Sequence, residues 1–253
     1  MLPLGDENVP PARSFPIVNI AIIVVNILAF IYELSLGANL DNFITGYGTV
    51  PYEIIHNTDL VGSFAGLPFM ETPGPSPIYL TLLTSMFMHG GFAHIGFNML
   101  YLFIFGDNVE DRMGSAVYAF FYLIGGFVAS FTHIIVTIVA GSLADSGVPS
   151  VGASGAIAAV LGAYLVMFPK AQIRTLLTLG YFGYITRVSA LIVLGIWFVL
   201  QFFNGLASLT PNTAQTGGVA VWAHVGGFAF GALIALLFYR GSSQGSYDRQ
   251  SYQ

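Results

Sequence analysis

Ser154 and His224 are the residues of this chain best suited to acyl-transfer chemistry. A serine hydroxyl is a weak nucleophile alone. A histidine within about 3 Å can take its proton as it attacks a carbonyl carbon. Ser154 opens an apolar run that reaches Met167 and Phe168, and it sits in Pro149-Ser150-Val151-Gly152-Ala153-Ser154-Gly155-Ala156. Ser154, Ala158 and Gly162 recur at a spacing of four, which makes one small-residue face of a helix. His224, Gly227 and Gly231 make a similar face near the C-terminus. Two such faces let helix backbones approach closely in a bilayer, and their packing would bring hydroxyl and imidazole together. The bland alternatives are a serine bonded to its own helix backbone and a histidine that only bridges helices.

Acyl transfer also needs donors for the developing oxyanion. His94 and Asn98 lie four apart, on one helix face, and both can donate. The backbone N–H of Ser154, near a helix start, is a third donor. No Asp or Glu is placed by sequence to orient His224, so the expectation is a Ser-His dyad, with Trp222 nearby. His89 and His94 at i,i+5 are poorly spaced for one metal, and no acidic third ligand lies at that end, so neither metal nor cofactor is expected. His56 and His133 read as ordinary loop and helix histidines, and Asn19, Asn26 and Gln201 as polar residues that tie the bundle together.

The elements that carry these residues belong to a membrane protein. Of the 253 residues, 55% are hydrophobic and only 8% charged, against roughly 25% charged in soluble domains. There is no cysteine, so disulfides and thiol chemistry are excluded. No basic stripe supports nucleic-acid binding. Apolar runs of spanning length divide the chain into six: about Pro16 to Leu34, His89 to Phe105, Val117 to Ala140, Ala153 to Phe168, Val188 to Phe203 and Val219 to Tyr239. A short helix from Ile78 to Met88 precedes the second, Glu33 marks the far boundary of the first, and Gly106 to Gly114 reads as a tight charged turn. The long segment 37–78 is expected to fold partly in the interface, and Asn204 to Gly218 to form a movable uncharged cap.

The fold class expected is therefore all-α, a polytopic six-helix bundle, because backbone polar groups in hydrocarbon must be paired internally. Residues 1–15 form a cytoplasmic N-terminal segment, 16–240 the six-span domain and 241–253 a polar tail. Six spans put all 7 Lys and Arg residues on one side with both termini, and the positive-inside rule makes that side cytoplasmic. Ser154 stands sixteen residues before Lys170 and His224 sixteen before Arg240. At 1.5 Å per residue each lies about 24 Å above the cytoplasmic boundary. The localisation expected is a cell (plasma or inner) membrane, with lipid as the surrounding partner.

Three stretches together resemble the signature motifs of rhomboid intramembrane serine proteases. They are His89-Gly90-Gly91-Phe92-Ala93-His94-Ile95-Gly96-Phe97-Asn98, Gly152-Ala153-Ser154-Gly155, and Ala223-His224-Val225-Gly226-Gly227 with Gly231. They fall in order on the second, fourth and sixth spans. The resemblance implies Ser154 as nucleophile, His224 as base, and His94 and Asn98 as oxyanion-stabilising residues. It implies supporting positions for His89, Gly152, Gly155, Gly227 and Gly231. It also implies transmembrane protein substrates, taken here as single-span. Many members carry an aromatic residue one turn after the serine, where this chain has Ala158. Some carry a Trp-Arg pair in the first outer loop, and no arginine occurs here between Arg13 and Arg112. Two other classes compete: an inactive rhomboid-like binder of membrane proteins, which would normally lose the serine or histidine, and a small transporter, which predicts buried carboxylates or repeated halves. The residues do not set an oligomeric state or a natural substrate.

Overall fold

A computed structural model describes residues 1–7, 14–64, 67–68, 73–179, 182–209 and 220–239. The protein is predominantly α-helical. Its bundle consists of α1 (Ile17–Ser35), α5 (Phe92–Met113), α6 (Ser115–Ala140), α8 (Ser154–Met167), α9 (Ala190–Ser208) and α10 (Val221–Phe238). Between α1 and α5 lie α2 (Leu40–Tyr47), α3 (Pro51–His56) and α4 (Thr81–Thr84), and α7 (Leu143–Ser146) precedes α8. By length and composition α1, α6, α9 and α10 can each cross a membrane. α5 is 22 residues long with its charges confined to the last two turns. α8 has only 14 residues, about 21 Å at 1.5 Å per residue, less than the roughly 30 Å hydrocarbon core. Its serine end is thus recessed when its other end is held at the opposite boundary.

α8 is the buried axis of the bundle. Ala156, Ala158, Ala159, Val160, Leu161, Ala163 and Tyr164 are all essentially inaccessible, whereas α1, α6 and α9 expose rows of Val, Ile, Leu and Phe outward. A sequence apolar all round suits such a central helix. Backbone meets backbone where α8 and α10 cross. A Cβ on Gly231 would lie 1.8 Å from the Ala159 carbonyl oxygen, and one on Gly227 2.2 Å from that of Gly155. On α8 the contact face is thus Gly155, Ala159 and Gly162, one residue round from the expected Ser154, Ala158, Gly162 face.

Two local expectations are corrected, and a third gains a partner. The segment from Gly106 is helical to Met113, and the turn is made at Gly114 alone, with φ 82°. Glu110, in the last turn of α5, accepts the N–H groups of Val18 at 3.1 Å and Asn19 at 2.7 Å. It caps α1 from another helix, where unpaired N–H groups and the positive end of the helix dipole favour an anion. Glu33 stands in the last turn of α1, at the expected boundary, but turns inward: it is buried and accepts the His89 N–H at 3.2 Å. α9 extends to Ser208, which takes the first residues of the expected Asn204 to Gly218 cap into helix. Residues 210–218 of that cap, and the tail 241–253, lie outside the described residues.

A sheet joins the helices. β1 (Leu2–Glu7) pairs antiparallel with β4 (Gln172–Leu179), which pairs antiparallel with β5 (Phe182–Ser189). A short ladder, β2 (Ser63–Phe64) with β3 (Leu67–Pro68), lies in the long first connection. The larger sheet places the N-terminus at the end of the bundle where α8 finishes and α9 begins. Asp6 of β1 reaches into that end, accepting from Asn108 Nδ2 at 2.8 Å and the Tyr164 hydroxyl at 2.7 Å. Burial raises the Asp6 carboxyl above its ordinary range, opposed by the Tyr164 hydrogen bond. At the other end Thr49 and Ser150 exchange backbone hydrogen bonds of 3.0 and 2.9 Å, tying the first connection to the approach to α8.

Candidate active site

The chain enters α8 through Gly152, whose φ of +133° disfavours any side chain. Its N–H donates to the Ser85 carbonyl at 2.8 Å, which fixes the turn. A Cβ there would sit 2.8 Å from Cε1 and 2.9 Å from Nε2 of His94, and 3.6 Å from Ser154 Oγ. Gly152 is therefore the gap across which the His94 ring and the Ser154 hydroxyl face each other.

Ser154 begins α8 and is half-buried. Its Oγ lies 2.7 Å from Nε2 of His224 on α10. The other ring nitrogen, Nδ1, lies 2.9 Å from Oε1 of Gln201 on α9. An amide oxygen can only accept, so this contact is a hydrogen bond when Nδ1 carries the proton, and Nε2 is then the lone-pair nitrogen that accepts the Ser154 O–H. Trp197, one turn before Gln201, puts its ring 5.7 Å from the imidazole at a tilt of 40°. Ala158 leaves no ring on α8, and α9 supplies one instead. Trp222, expected beside His224, packs on Phe202 with ring centroids 6.3 Å apart.

His94 has the opposite tautomer. Its Nδ1 accepts the Gly90 N–H at 3.3 Å, which leaves Nε2–H as a donor on the Gly152 side. Asn98 follows one turn later on α5; it is buried, and its Nδ2 has no partner among the described residues. An unpaired buried amide is costly, so this Nδ2 is a donor with its hydrogen-bonding capacity unused among the described residues. His89 is buried too, with its ring 5.1 Å from that of His94 and 6.5 Å from Phe30. Its backbone, held by Glu33, anchors the Gly90-Gly91 turn that launches α5; its ring makes no bond to Ser154.

A cavity of about 20 Å³ adjoins Ser154, with Ser85, Ser130, Ser150, Gly152 and Ala223 in its wall. One water needs about 10 to 15 Å³ and polar partners, so the cavity has room for one water. Gly155 closes it on one side, where an added Cβ would be 2.7 Å from the Ala129 Cβ. Among the described residues no group of three or more His, Asp or Glu side chains gathers as a metal site.

Residues 77–241 match the Rhomboid domain family. The chain belongs to the rhomboid family. Rhomboid protease GluP of Bacillus subtilis (strain 168) is 31% identical over 155 residues, which is 61% of this chain and 26% of that protein. RHOMBOID-like protein 1 of Arabidopsis thaliana is 28% identical over 198 residues, 70% of this chain and 44% of its own length. Rhomboid-type serine protease 2 of Emericella nidulans is 27% identical over 176 residues, 67% of this chain and 29% of its own. The chain thus spans less than half the length of these rhomboid relatives. Within the family region Ser154 meets His224, His94 faces Ser154 across Gly152, and Asn98 lies one turn after His94 on α5. Gln201, Trp197 and Glu33 are the residues at this site that sequence reasoning missed. The signal available for Gln201 was a single amide in an otherwise apolar span.

Proposed function

We propose that the chain is an intramembrane serine endopeptidase, and that Ser154 and His224 are its nucleophile and base. The observation that carries this reading is the 2.7 Å contact between Ser154 Oγ and His224 Nε2, with Nε2 free to accept. Ser154 Oγ attacks the scissile carbonyl carbon while its proton passes to Nε2. The carbonyl oxygen becomes anionic, and the donors around it are His94 Nε2–H, Asn98 Nδ2 and the Ser154 N–H at the positive end of α8. The C–N bond then breaks, and Nε2 returns the proton to the leaving amine. Water from the neighbouring cavity attacks the acyl-enzyme with His224 again as base, releasing the acid and restoring Ser154.

The substrates that fit are single-span membrane proteins. A helical carbonyl is already bonded to its own N–H, so the substrate must unwind locally before attack. Gly, Pro or polar residues near the outer end of its span make that easier. The small residues around Ser154 favour Ala or Gly just before the cut bond, with entry past α9 or α5. The sheet end, which carries Arg112, Lys170, Arg174 and Arg187, is assigned to the cytoplasm of a cell membrane. Residues 16–240 are the protease domain, flanked by the segments 1–15 and 241–253. The test is cleavage of a panel of single-span proteins in membranes by wild type, Ser154→Ala and His224→Ala. Wild type alone should cut, within the outer third of the substrate span. Cuts in the cytoplasmic half, or cutting by Ser154→Ala, would overturn it.

A further inference from the structure

We propose that Gln201 is a positioning residue, the third member of a Ser-His-Gln relay, whose amide oxygen holds His224 in the tautomer that can act as base. The proposal rests on the serine-protease reading above. A neutral imidazole has one N–H to place on two nitrogens. With the proton on Nε2 the ring would donate to Ser154 Oγ and could not receive its proton. With the proton on Nδ1 the ring is productive. The only side-chain hydrogen bond described for Nδ1 is to Gln201 Oε1, at 2.9 Å.

The geometry makes this a specific arrangement. Gln201 and Trp197 are four residues apart on α9, so one face presents both the acceptor and the ring that lies tilted over His224. One turn after Ser154, α8 carries Ala158, fully buried and with no ring or polar group to hold an imidazole. Besides Ser154 itself, the side chains that hold the His224 ring come from α9, a helix separate from those that carry the nucleophile and the base. An amide oxygen is neutral. It fixes tautomer and ring plane but adds no negative charge beside an imidazolium, unlike the carboxylate of a serine-protease triad.

The experiment compares Gln201→Met, which keeps length without an acceptor, and Gln201→Glu, which keeps the acceptor, in full-length protein reconstituted with a single-span substrate. Gln201→Met should lower kcat by about 10- to 100-fold, no more than the lower end of the roughly 100- to 10,000-fold that a general base contributes, with KM changed less than about twofold. Gln201→Glu should recover most of that loss. Nitrogen-15 spectra of the imidazoles, with His224 assigned by its loss in His224→Gln, should show Nδ1 protonated in wild type and a mixed tautomer in Gln201→Met. Nε2 protonation in wild type would overturn the proposal even if no variant folds. So would wild-type kcat in Gln201→Met, or equal losses in Met and Glu variants with an unchanged tautomer, which is the mark of packing alone. If Ser154→Ala still cleaves, the protease reading itself falls. If Ser154→Ala is dead and Gln201→Met is normal, only the role of Gln201 falls.

Discussion

At the scale of single residues, the site joins two histidines with opposite tautomers. His94 offers N–H to the space beside Gly152, and His224 offers a lone pair to Ser154. If the pair Ser154 and His224 acts as one unit, the double alanine variant should be no slower than either single variant, measured as residual cleavage of one reporter. Asn98→Ala should be milder. Loss of one oxyanion donor costs about 3 to 4 kcal/mol in a serine protease; here His94 and the backbone remain, so rate should fall while affinity for an uncleaved substrate stays. An equal loss of affinity would make Asn98 a recognition residue. Ser154, His224, His94 and Asn98 were legible in the sequence because polar residues stand out among apolar and small neighbours at helical spacing. Gln201 was legible only as a polar residue. Its partner depends on the rotation of α9 about its axis, which no local pattern in that apolar helix fixes.

At the scale of elements, the glycine crossing of α8 and α10 sets the distance from serine to histidine. Gly231→Val places a branched side chain where even a Cβ would be 1.8 Å from a carbonyl oxygen. Overpacking a core costs about 1 to 3 kcal/mol, and here backbone must move, so the expected outcome is a lowered Tm together with lost cleavage. A normal Tm with normal cleavage would show that the crossing is more pliant than its geometry implies. The other element-level joint is Glu110 at the start of α1. Glu110→Ala strands two N–H groups, and each buried unsatisfied donor costs about 1 to 3 kcal/mol, so thermal unfolding should shift well below wild type. Helices were legible from hydropathy, since a bilayer demands long apolar runs. The β1-β4-β5 sheet was not. β4 and β5 carry Arg174 and Arg187 in register opposite each other, and this basic stretch reads as a loop between spans. β1 is recognisable only with its partner, 165 residues or more away in sequence.

At the scale of the whole molecule, the bundle has two unlike ends. One carries the sheet and basic residues; the other carries the long first connection and the entrance to α8. The chain has no cysteine, so single substitutions report sidedness directly: Arg174→Cys should resist a membrane-impermeant maleimide in intact cells, and Thr58→Cys should react. The reverse pattern would invert the topology. The first connection also senses pH. Burial pushes the Glu53 carboxyl up from 4.5 to about 7; the Leu60 N–H pulls it down and Asp59 raises it further. The folded state then holds a proton that the unfolded chain has lost between those values. Its stabilisation is present below about 4.5 and is lost as pH rises toward about 7. Thermal unfolding across that window should show the loss, and Glu53→Gln should flatten it.

The central claim is that Ser154 is a nucleophile activated by His224. A fluorophosphonate probe with full-length protein in membranes, followed by peptide mapping, tests it most directly. Activation predicts a single covalent adduct on Ser154 in wild type, with none in His224→Ala. A folded wild type that takes no adduct, or takes it on another residue, would contradict the account.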